Sequence, residues 1–281
     1  MENAKLRPAI LAGQWYRADP EQLRKEGDGY ISKAPPLSAL SGQVIGLLAP
    51  HAGHIYSGPV AGYAYAAVKG HHYDTVAVIS PFHAGHPNPL LTIKYDGYTT
   101  PLGEIPVDHE NLSRLQKQLA ALGGPNLTTA AYEREHAIEI ELPFLQTALE
   151  GDFKLLPLMH ASMKLIESEI LGKALAETLR GQNALLVASS DLSHFYPEQT
   201  ANRLDQTILE AVASFDPEKV RQVHQNGRGQ ACGLSAILTV MYAAGHLGGT
   251  TAKILQYATS GAVSGDLQSV VGYGAAVFAR S

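Results

Sequence analysis

Six continuous apolar runs of strand length recur along the chain. Their hydrophobic positions are consecutive and do not alternate with polar ones, which is typical of strands buried on both faces of a sheet. The predicted strands are QVIGLLAP (43–50), TVAVISP (75–81), FKLLPLMH (153–160), NALLVASS (183–190), AKILQYAT (252–259) and SVVGYGAAVF (269–278).

Segments with the apolar spacing of helices lie between these runs. They are GPVAGYAYAAVK (58–69), HENLSRLQKQLAAL (109–122), AIEIELPFLQTALE (137–150), KLIESEILGKALAETLR (164–180), QTANRLDQTILEAVASF (199–215) and GLSAILTVMYAAGH (233–246). Strands that alternate with helices predict an α/β fold with a largely parallel central sheet and helices on both faces. The stretch 90–105 instead alternates and carries Asp96-Gly97, a hairpin signal, which predicts a small antiparallel excursion. We expect one domain over residues 1–281.

Composition and charge narrow the class of protein. Hydrophobic residues make up 45% of the 281 residues and charged residues 17%, which favours a folded chain. The formal net charge is −5 and no long basic run occurs, so we expect no nucleic-acid partner. Cys232 is the only cysteine, which excludes an intramolecular disulfide. Because we find neither a signal peptide nor a membrane-length apolar run, we expect a cytoplasmic protein without a membrane partner.

Polar side chains follow four of the predicted strands at the point where each strand ends. His51 follows the first strand, His83 the second and His160 the third, while Asp191 and His194 follow the fourth. The carboxyl ends of parallel strands lie along one edge of a sheet, where ligands bind. A single histidine after a strand is more often an ordinary loop residue. The repetition nevertheless favours a shared site, although the pattern alone names no metal.

Two further stretches carry candidate chemistry. Cys232 lies between a glycine-rich loop and a helical segment, and the positive end of a helix favours the thiolate that binds metals or attacks substrates. A lone cysteine is also commonly a small buried hydrophobe. In EREHAIEIELPF (133–144), His136 and Glu139 are spaced to share a helix face and are candidate pocket residues.

Five stretches, in this order, resemble the hallmark motifs of the Memo family: APHAGHIYSG, SPFHAGH, EHAIEIELPF, SSDLSHF and ACGLSAI. Prokaryotic members of this family are called AmmeMemoRadiSam system protein B. The resemblance covers nearly the whole chain and implies a fold similar to that of class III extradiol dioxygenases. It also implies a metal ion held by His51, His83 and Cys232. Asp191 and His194 would lie beside the metal, with His194 as the acid/base residue.

The resemblance also suggests cofactors and partners. The dioxygenases hold iron(II) with two histidines and a carboxylate, whereas the third position here is a cysteine. The family favours iron(II), and a thiolate also suits copper or zinc. His54 stands where family members more often carry tyrosine, so it is a candidate pocket residue or an extra ligand. The family further implies a functional link to an AMMECR-type protein and a radical SAM enzyme.

Three functions stay open from the sequence. The first is a non-haem iron dioxygenase-like oxidoreductase that acts on an aromatic or other small substrate, with His194, oriented by Asp191, moving protons. The second is a hydrolase with Cys232 as nucleophile. The third is a metal- or peptide-binding module without turnover, because a fold does not fix a function. We rank metal binding above either specific activity.

Overall fold

The computed structural model of the chain describes residues 5–35, 42–131, 134–161 and 164–280. Its strands are β1 (Leu6–Arg7), β2 (Gln43–Ala49), β3 (Thr75–Pro81), β4 (Leu90–Ile93), β5 (Gly97–Thr100), β6 (Gly103–Pro106), β7 (Leu127–Ala130), β8 (Lys154–His160), β9 (Ala184–Ser189), β10 (His194–Tyr196), β11 (Thr251–Thr259) and β12 (Val270–Arg280). Its helices are α1 (Pro20–Ile31), α2 (His54–Ala66), α3 (His109–Ala121), α4 (Ala137–Ala148), α5 (Leu165–Leu179), α6 (Glu198–Ala213), α7 (Pro217–Gln225), α8 (Leu234–His246) and α9 (Gly261–Ser264).

A mixed sheet organises the fold. Its strand order is β10-β12-β2-β9-β3-β8-β4-β7, and β11 pairs with β12. The central strands β2, β9, β3 and β8 run parallel, whereas β12 is antiparallel to both β2 and β11. The predicted α/β class, with a largely parallel sheet and flanking helices, is confirmed. That residues 1–281 form one domain stays a prediction.

The central strands are buried because their apolar residues are consecutive. Leu47, Val78, Leu158 and Val187 are all fully inaccessible to solvent. Helix α8 packs against β9 and β3, and α4 also packs against both of these strands. The sheet is therefore covered where the predicted site lies. Among the described residues, no helix combines the length and the apolar character that crossing a bilayer requires.

The antiparallel excursion exists, but the predicted turn was wrong. Strands β5 and β6 form the hairpin, and its turn lies at residues 101–102, not at Asp96-Gly97. Asp96 instead accepts the backbone N–H of Lys5 at 2.8 Å, next to the point where β1 joins β5. A Cβ atom at Gly97 would lie 2.7 Å from the carbonyl oxygen of Ile105. The glycine thus permits a close strand approach, not a turn.

Candidate metal centre

A cavity of about 450 Å³ opens at the carboxyl ends of β2, β3 and β9. Its lining consists of Gln14, Trp15, His51, Ala52, Gly53, Ile55, Tyr56, His83, His136, Asp191 and His194. A larger groove of about 860 Å³ lies beside α1, but no histidine lines it. The polar residues that follow β2, β3 and β9 therefore meet in one cavity, as the parallel topology predicts, whereas His160 at the end of β8 does not line it.

His51 lies at the base of this cavity, directly after β2, and is almost completely buried. Its backbone N–H donates to Asp191 Oδ1 at 2.8 Å, which fixes the turn out of the strand. The ring Nδ1 lies 2.8 Å from Ser189 Oγ, and the ring Nε2 lies 3.3 Å from Cys232 Sγ. Burial, followed by the nearby His136 and His83, holds the pKa of His51 well below its usual range. The ring is therefore neutral and able to bind a cation.

Glu135 holds His83 from outside the cavity. Its carboxylate accepts the backbone N–H of His83 at 2.6 Å and contacts His83 Nδ1 at 2.9 Å. Burial lowers the pKa of His83, but the hydrogen bond and charge of Glu135 outweigh it and raise that pKa. Conversely, although burial opposes ionisation, the contacts with His83 lower the pKa of Glu135 to about 2. The carboxylate is thus ionised, and Nε2 of His83 is left for a ligand.

His136 completes a group of three histidines. Its ring stacks on that of His83 with centroids 4.5 Å apart, and it lies edge-on to His51 at 5.4 Å. One ring nitrogen from each of His51, His83 and His136 lies within 4.8 Å of the others, a spacing that could hold a metal ion. The prediction placed His136 only in the pocket wall, whereas the structure brings it among the possible ligands.

Cys232 lies beside His51, immediately before the N-cap Gly233 of α8. Its Sγ accepts the backbone N–H of Asp191 at 3.3 Å, in addition to its contact with His51. A Cβ atom at Gly233 would lie 2.5 Å from the carbonyl oxygen of Ser189, so glycine lets the helix approach the end of β9. Burial, followed by the Asp191 charge, raises the pKa of the Cys232 thiol to about 12. The thiolate expected from the helix end is therefore not favoured without a cation.

Asp191 and His194 both line the cavity, but they do not act as the predicted pair. The Asp191 carboxyl accepts the backbone N–H groups of His51 and Ala52, while burial raises its pKa to about 7. The ring Nδ1 of His194 lies 2.9 Å from the carbonyl oxygen of Leu192. The expected orientation of His194 by Asp191 is corrected on this point, since a local backbone carbonyl orients the ring. Its Nε2 is then available for proton transfer.

A family model described as Memo-like protein matches residues 7–277. The chain belongs to the Memo-like family. A MEMO1 family protein of Nitrosopumilus maritimus is 32% identical over 276 residues, covering 97% of this chain and 99% of the relative. A MEMO1 family protein of Methanococcoides burtonii is 33% identical over 275 residues, with the same coverage. The crystal structure of an uncharacterized Escherichia coli K12 protein is similar in fold, with a TM-score of 0.55 and 14% identity, covering 84% of this chain and 100% of that chain.

Two predicted pocket residues of this Memo-like chain lie outside the cavity. His54 begins α2 but is buried between the rings of Tyr16 and Phe144, with its Nε2 3.1 Å from the carbonyl oxygen of Ile140. Glu139 forms a buried ion pair with Arg7 at 2.5 Å. Both placements correct the prediction. The N-terminal segment, which the sequence analysis did not connect with α4, covers these two side chains.

Glu139 also holds in place the N-terminal segment that supplies an aromatic wall of the cavity. Besides Arg7, its carboxylate accepts the Leu11 N–H at 2.9 Å and the Tyr16 hydroxyl at 2.8 Å. This segment carries Trp15, whose ring lies 4.8 Å from that of His136. Glu139 therefore acts on the cavity indirectly, by fixing the segment that supplies one wall.

Sequence reasoning gave no role to the polar residues behind the histidines: Glu135, Ser189 and Glu141. Glu141 receives hydrogen bonds from Ser189 and Tyr65, yet burial raises its pKa to about 8. A usable signal was present, because Glu139 and Glu141 lie in an otherwise apolar helix. A carboxyl that is buried in this way needs partners, and those partners point to its role.

Proposed function

We propose that this Memo-like chain binds a transition-metal ion through His51 and His83, and that Cys232 and His136 offer further donors. The single observation that carries the proposal is the convergence of the three histidines beside the Cys232 thiol. His51 contacts or faces every other candidate ligand, so it is the residue common to a two-histidine, one-cysteine set and to a three-histidine set. Imidazole and thiolate together suit iron, copper or zinc.

The surroundings of the histidines fit such an ion. Metal-binding histidines usually donate the second ring N–H to a carboxylate, a carbonyl or another fixed acceptor. Here Nδ1 of His83 contacts Glu135, and Nδ1 of His51 contacts Ser189. Both Nε2 atoms are thereby left for a ligand. This arrangement supports a metal centre more strongly than three unconnected histidines would.

Beyond metal binding, we propose a dioxygenase-like oxidation with iron(II) as cofactor and an aromatic or other small substrate. When bound, iron(II) would supply the redox chemistry that activates oxygen. His194 would take up or deliver a proton at Nε2, because Nδ1 is engaged with Leu192. Trp15 and Tyr56 would bound the substrate from the apolar side of the cavity. The cavity of about 450 Å³ would hold a small molecule and limit its access to water.

Metal content tests the basic proposal. Anaerobically purified protein would be loaded in turn with iron(II), zinc(II) and copper(I), and the bound metal quantified in wild type and in H51A, H83A, H136A and C232S. Exposed His109 supplies a matched control, H109A. We expect loss of metal in H51A and H83A and retention in H109A. Comparison of H136A with C232S identifies the additional donor. Equal metal content in wild type, H51A and H83A would overturn the proposal.

Oxygen uptake tests the catalytic part. Iron-loaded protein would be supplied with a panel of catechols and other small aromatics, and H194A would be the matched variant that keeps the ligands. We expect substrate-dependent oxygen consumption that H194A lowers without loss of bound iron. Metal retention with no consumption across the panel would favour a non-catalytic metal- or peptide-binding module.

The contact between Cys232 and His51 also favours a second candidate, a cysteine hydrolase with His51 as base. Thiol alkylation separates the two functions. A metal ligand should be protected by bound zinc, whereas a hydrolase nucleophile should react whether or not zinc is present.

The functional link to an AMMECR-type protein and a radical SAM enzyme stays a proposal, which co-purification would test.

A further inference from the structure

A buried chain of hydrogen bonds leads from His51 into the core. His51 Nδ1 lies 2.8 Å from Ser189 Oγ, and this hydroxyl lies 2.6 Å from Glu141 Oε1. The second carboxyl oxygen of Glu141, Oε2, accepts the Tyr65 hydroxyl at 2.6 Å. Exposed fractions are 1% for His51 and 0% for the other three residues. The site is thus connected to a carboxyl that the proposed chemistry does not use.

The direction of these hydrogen bonds decides which ring nitrogen of His51 carries the proton. A serine hydroxyl has one proton to donate, and an ionised carboxylate can only accept. If Ser189 donates to Glu141, its oxygen can only accept from His51, so the His51 proton must sit on Nδ1. The Nε2 lone pair then lies on the nitrogen that is 3.3 Å from Cys232 Sγ. A proton on Glu141 that faced Ser189 would reverse both bonds and leave His51 protonated on Nε2, where it could not bind a cation.

We propose, resting on the metal-binding function above, that Glu141 is a positioning residue for His51. Acting through Ser189, the ionised carboxylate of Glu141 holds His51 in the tautomer whose Nε2 binds the metal ion. Glu141 does not contact the metal ion. It sets the tautomer of His51, which binds the ion.

Two features of the surroundings support this role. Tyr65 donates to Oε2 and leaves Oε1 for Ser189, so the two carboxyl oxygens have separate partners. Ser189 also has the carbonyl oxygen of Ala137 within 3.3 Å, but Glu141 is closer at 2.6 Å. A cation at His51 would in turn favour the ionised form of Glu141, since opposite charge stabilises a carboxylate. Metal binding and the required hydrogen-bond direction therefore reinforce each other.

Four variants separate positioning from simple packing. S189A removes the link, S189T keeps a hydroxyl, and E141Q replaces the carboxylate by an amide that can donate to Ser189. T178V is the matched control, because it removes a buried hydroxyl that donates to the carbonyl of Ala174 at 2.8 Å, away from the link. Zinc affinity would be measured by chelator competition. The protonated nitrogen of His51 would be identified by ¹⁵N NMR, with and without zinc, at pH 9, which lies above the pKa of about 8 of Glu141.

We expect S189A and E141Q to lower zinc affinity by roughly 10- to 100-fold, the usual effect of losing a partner behind a metal ligand. NMR should show that His51 loses its preference for Nδ1 protonation in both variants. S189T and T178V should keep the wild-type tautomer and an affinity close to wild type. A purely structural role would lower the melting temperature but would not move the tautomer.

Two results would contradict different parts of the proposal: one the positioning role, the other the metal-binding function. Unchanged zinc affinity and an unchanged tautomer in both S189A and E141Q would overturn the positioning role, while H51A would still show whether the metal site exists. If wild type bound no metal, the metal-binding function would fail. The His51 tautomer in metal-free S189A and E141Q would then still decide whether Glu141 sets it.

Discussion

At the scale of single residues, Glu135 connects the start of α4 to two candidate metal ligands. Its carboxylate contacts the backbone and ring of His83, and it also accepts the backbone N–H groups of His136 and Ala137 at 2.8 and 3.0 Å. One buried side chain therefore fixes the start of α4 together with two candidate ligands. This is more than a conventional cap, because the same oxygen atoms orient His83.

We expect Glu135→Gln to weaken metal binding by roughly 10- to 100-fold, because the amide nitrogen cannot accept the hydrogen bonds that the carboxylate receives. Chelator competition with zinc would measure the affinity. Glu104→Gln, a change at an exposed glutamate of β6, is the matched control and should leave affinity unchanged. Wild-type affinity in Glu135→Gln would show that His83 needs no such support.

The contrast between His83 and Glu135 shows how much of the site the sequence could predict. The positions of His51, His83 and Cys232 could be predicted because each adjoins a strand end or helix start, and their role as metal ligands stays a prediction. Glu135 and Glu141 could not be assigned, since their roles depend on side-chain directions and on contacts between distant segments. The same limit misplaced His54, whose burial depends on the N-terminal segment lying over it.

At the scale of elements, the close approach of α8 to β9 sets the position of Cys232. We expect Gly233→Ala to lower the free energy of unfolding by about 1–3 kcal/mol, because the added Cβ overlaps the Ser189 carbonyl. Metal affinity should fall as well, since Cys232 and Ser189 would move. Urea unfolding and chelator competition would measure the two effects.

The same helix offers a control for this substitution. A Cβ atom at Gly245 meets nothing within 4 Å. Gly245→Ala should therefore stabilise the protein slightly, by up to about 1 kcal/mol, since alanine favours a helix more than glycine does. Equal stability of the two variants would contradict the close contact at Gly233.

A second prediction at this scale concerns the attachment of the N-terminal segment to α4. Glu139→Gln removes the charge that compensates buried Arg7, so we expect a loss of about 3–5 kcal/mol in the free energy of unfolding. Trp15, the only tryptophan, should become more exposed and shift its fluorescence to longer wavelength. Glu177→Gln removes an exposed partner of Arg180 and should change little. An unshifted Trp15 spectrum would show that Glu139 does not hold the segment.

Some secondary-structure elements could be predicted from the sequence and others could not, and the difference has a physical reason. Strands with consecutive apolar residues and helices with a buried stripe were identified, since burial imposes their pattern. Helix α1 was missed, although Asp19 caps it and Pro20 occupies its first turn. Its buried stripe is short, consisting of Leu23, Gly27 and Ile31, and it lies in a mostly polar stretch. The Asp96-Gly97 turn was wrong because close packing of β5 on β6 also requires glycine.

At the scale of the whole molecule, the parallel core explains why distant residues share a site, and antiparallel β12 completes it. β12 pairs with β2 and also with β10, which carries His194. The apolar run of β12 predicted a buried strand but not its direction, because direction depends on where the connection returns. The pairing of β10 with β12 therefore positions His194, a candidate proton-transfer residue. Sequence periodicity does not reveal this pairing.

The stability of the metal-free protein should depend on pH through His160, at the buried end of β8. Burial, followed by the nearby His83, lowers its pKa to about 4. An unfolded chain binds this proton with a pKa near 6.5, so the folded state holds fewer protons between roughly pH 6.5 and 4. The His160 contribution is complete above pH 6.5 and is lost progressively as the pH falls through this window.

This contribution can be isolated by difference, because Asp191 and Glu141 have raised pKa values and act in the opposite direction. We expect wild type to lose about 2 kcal/mol of unfolding free energy relative to His160→Gln between pH 8 and pH 5. Urea unfolding in the presence of a chelator would measure both proteins at each pH. His109→Gln, at an exposed histidine, should track wild type. Parallel pH profiles for wild type and His160→Gln would mean that His160 accepts a proton as readily in the folded protein as in the unfolded chain.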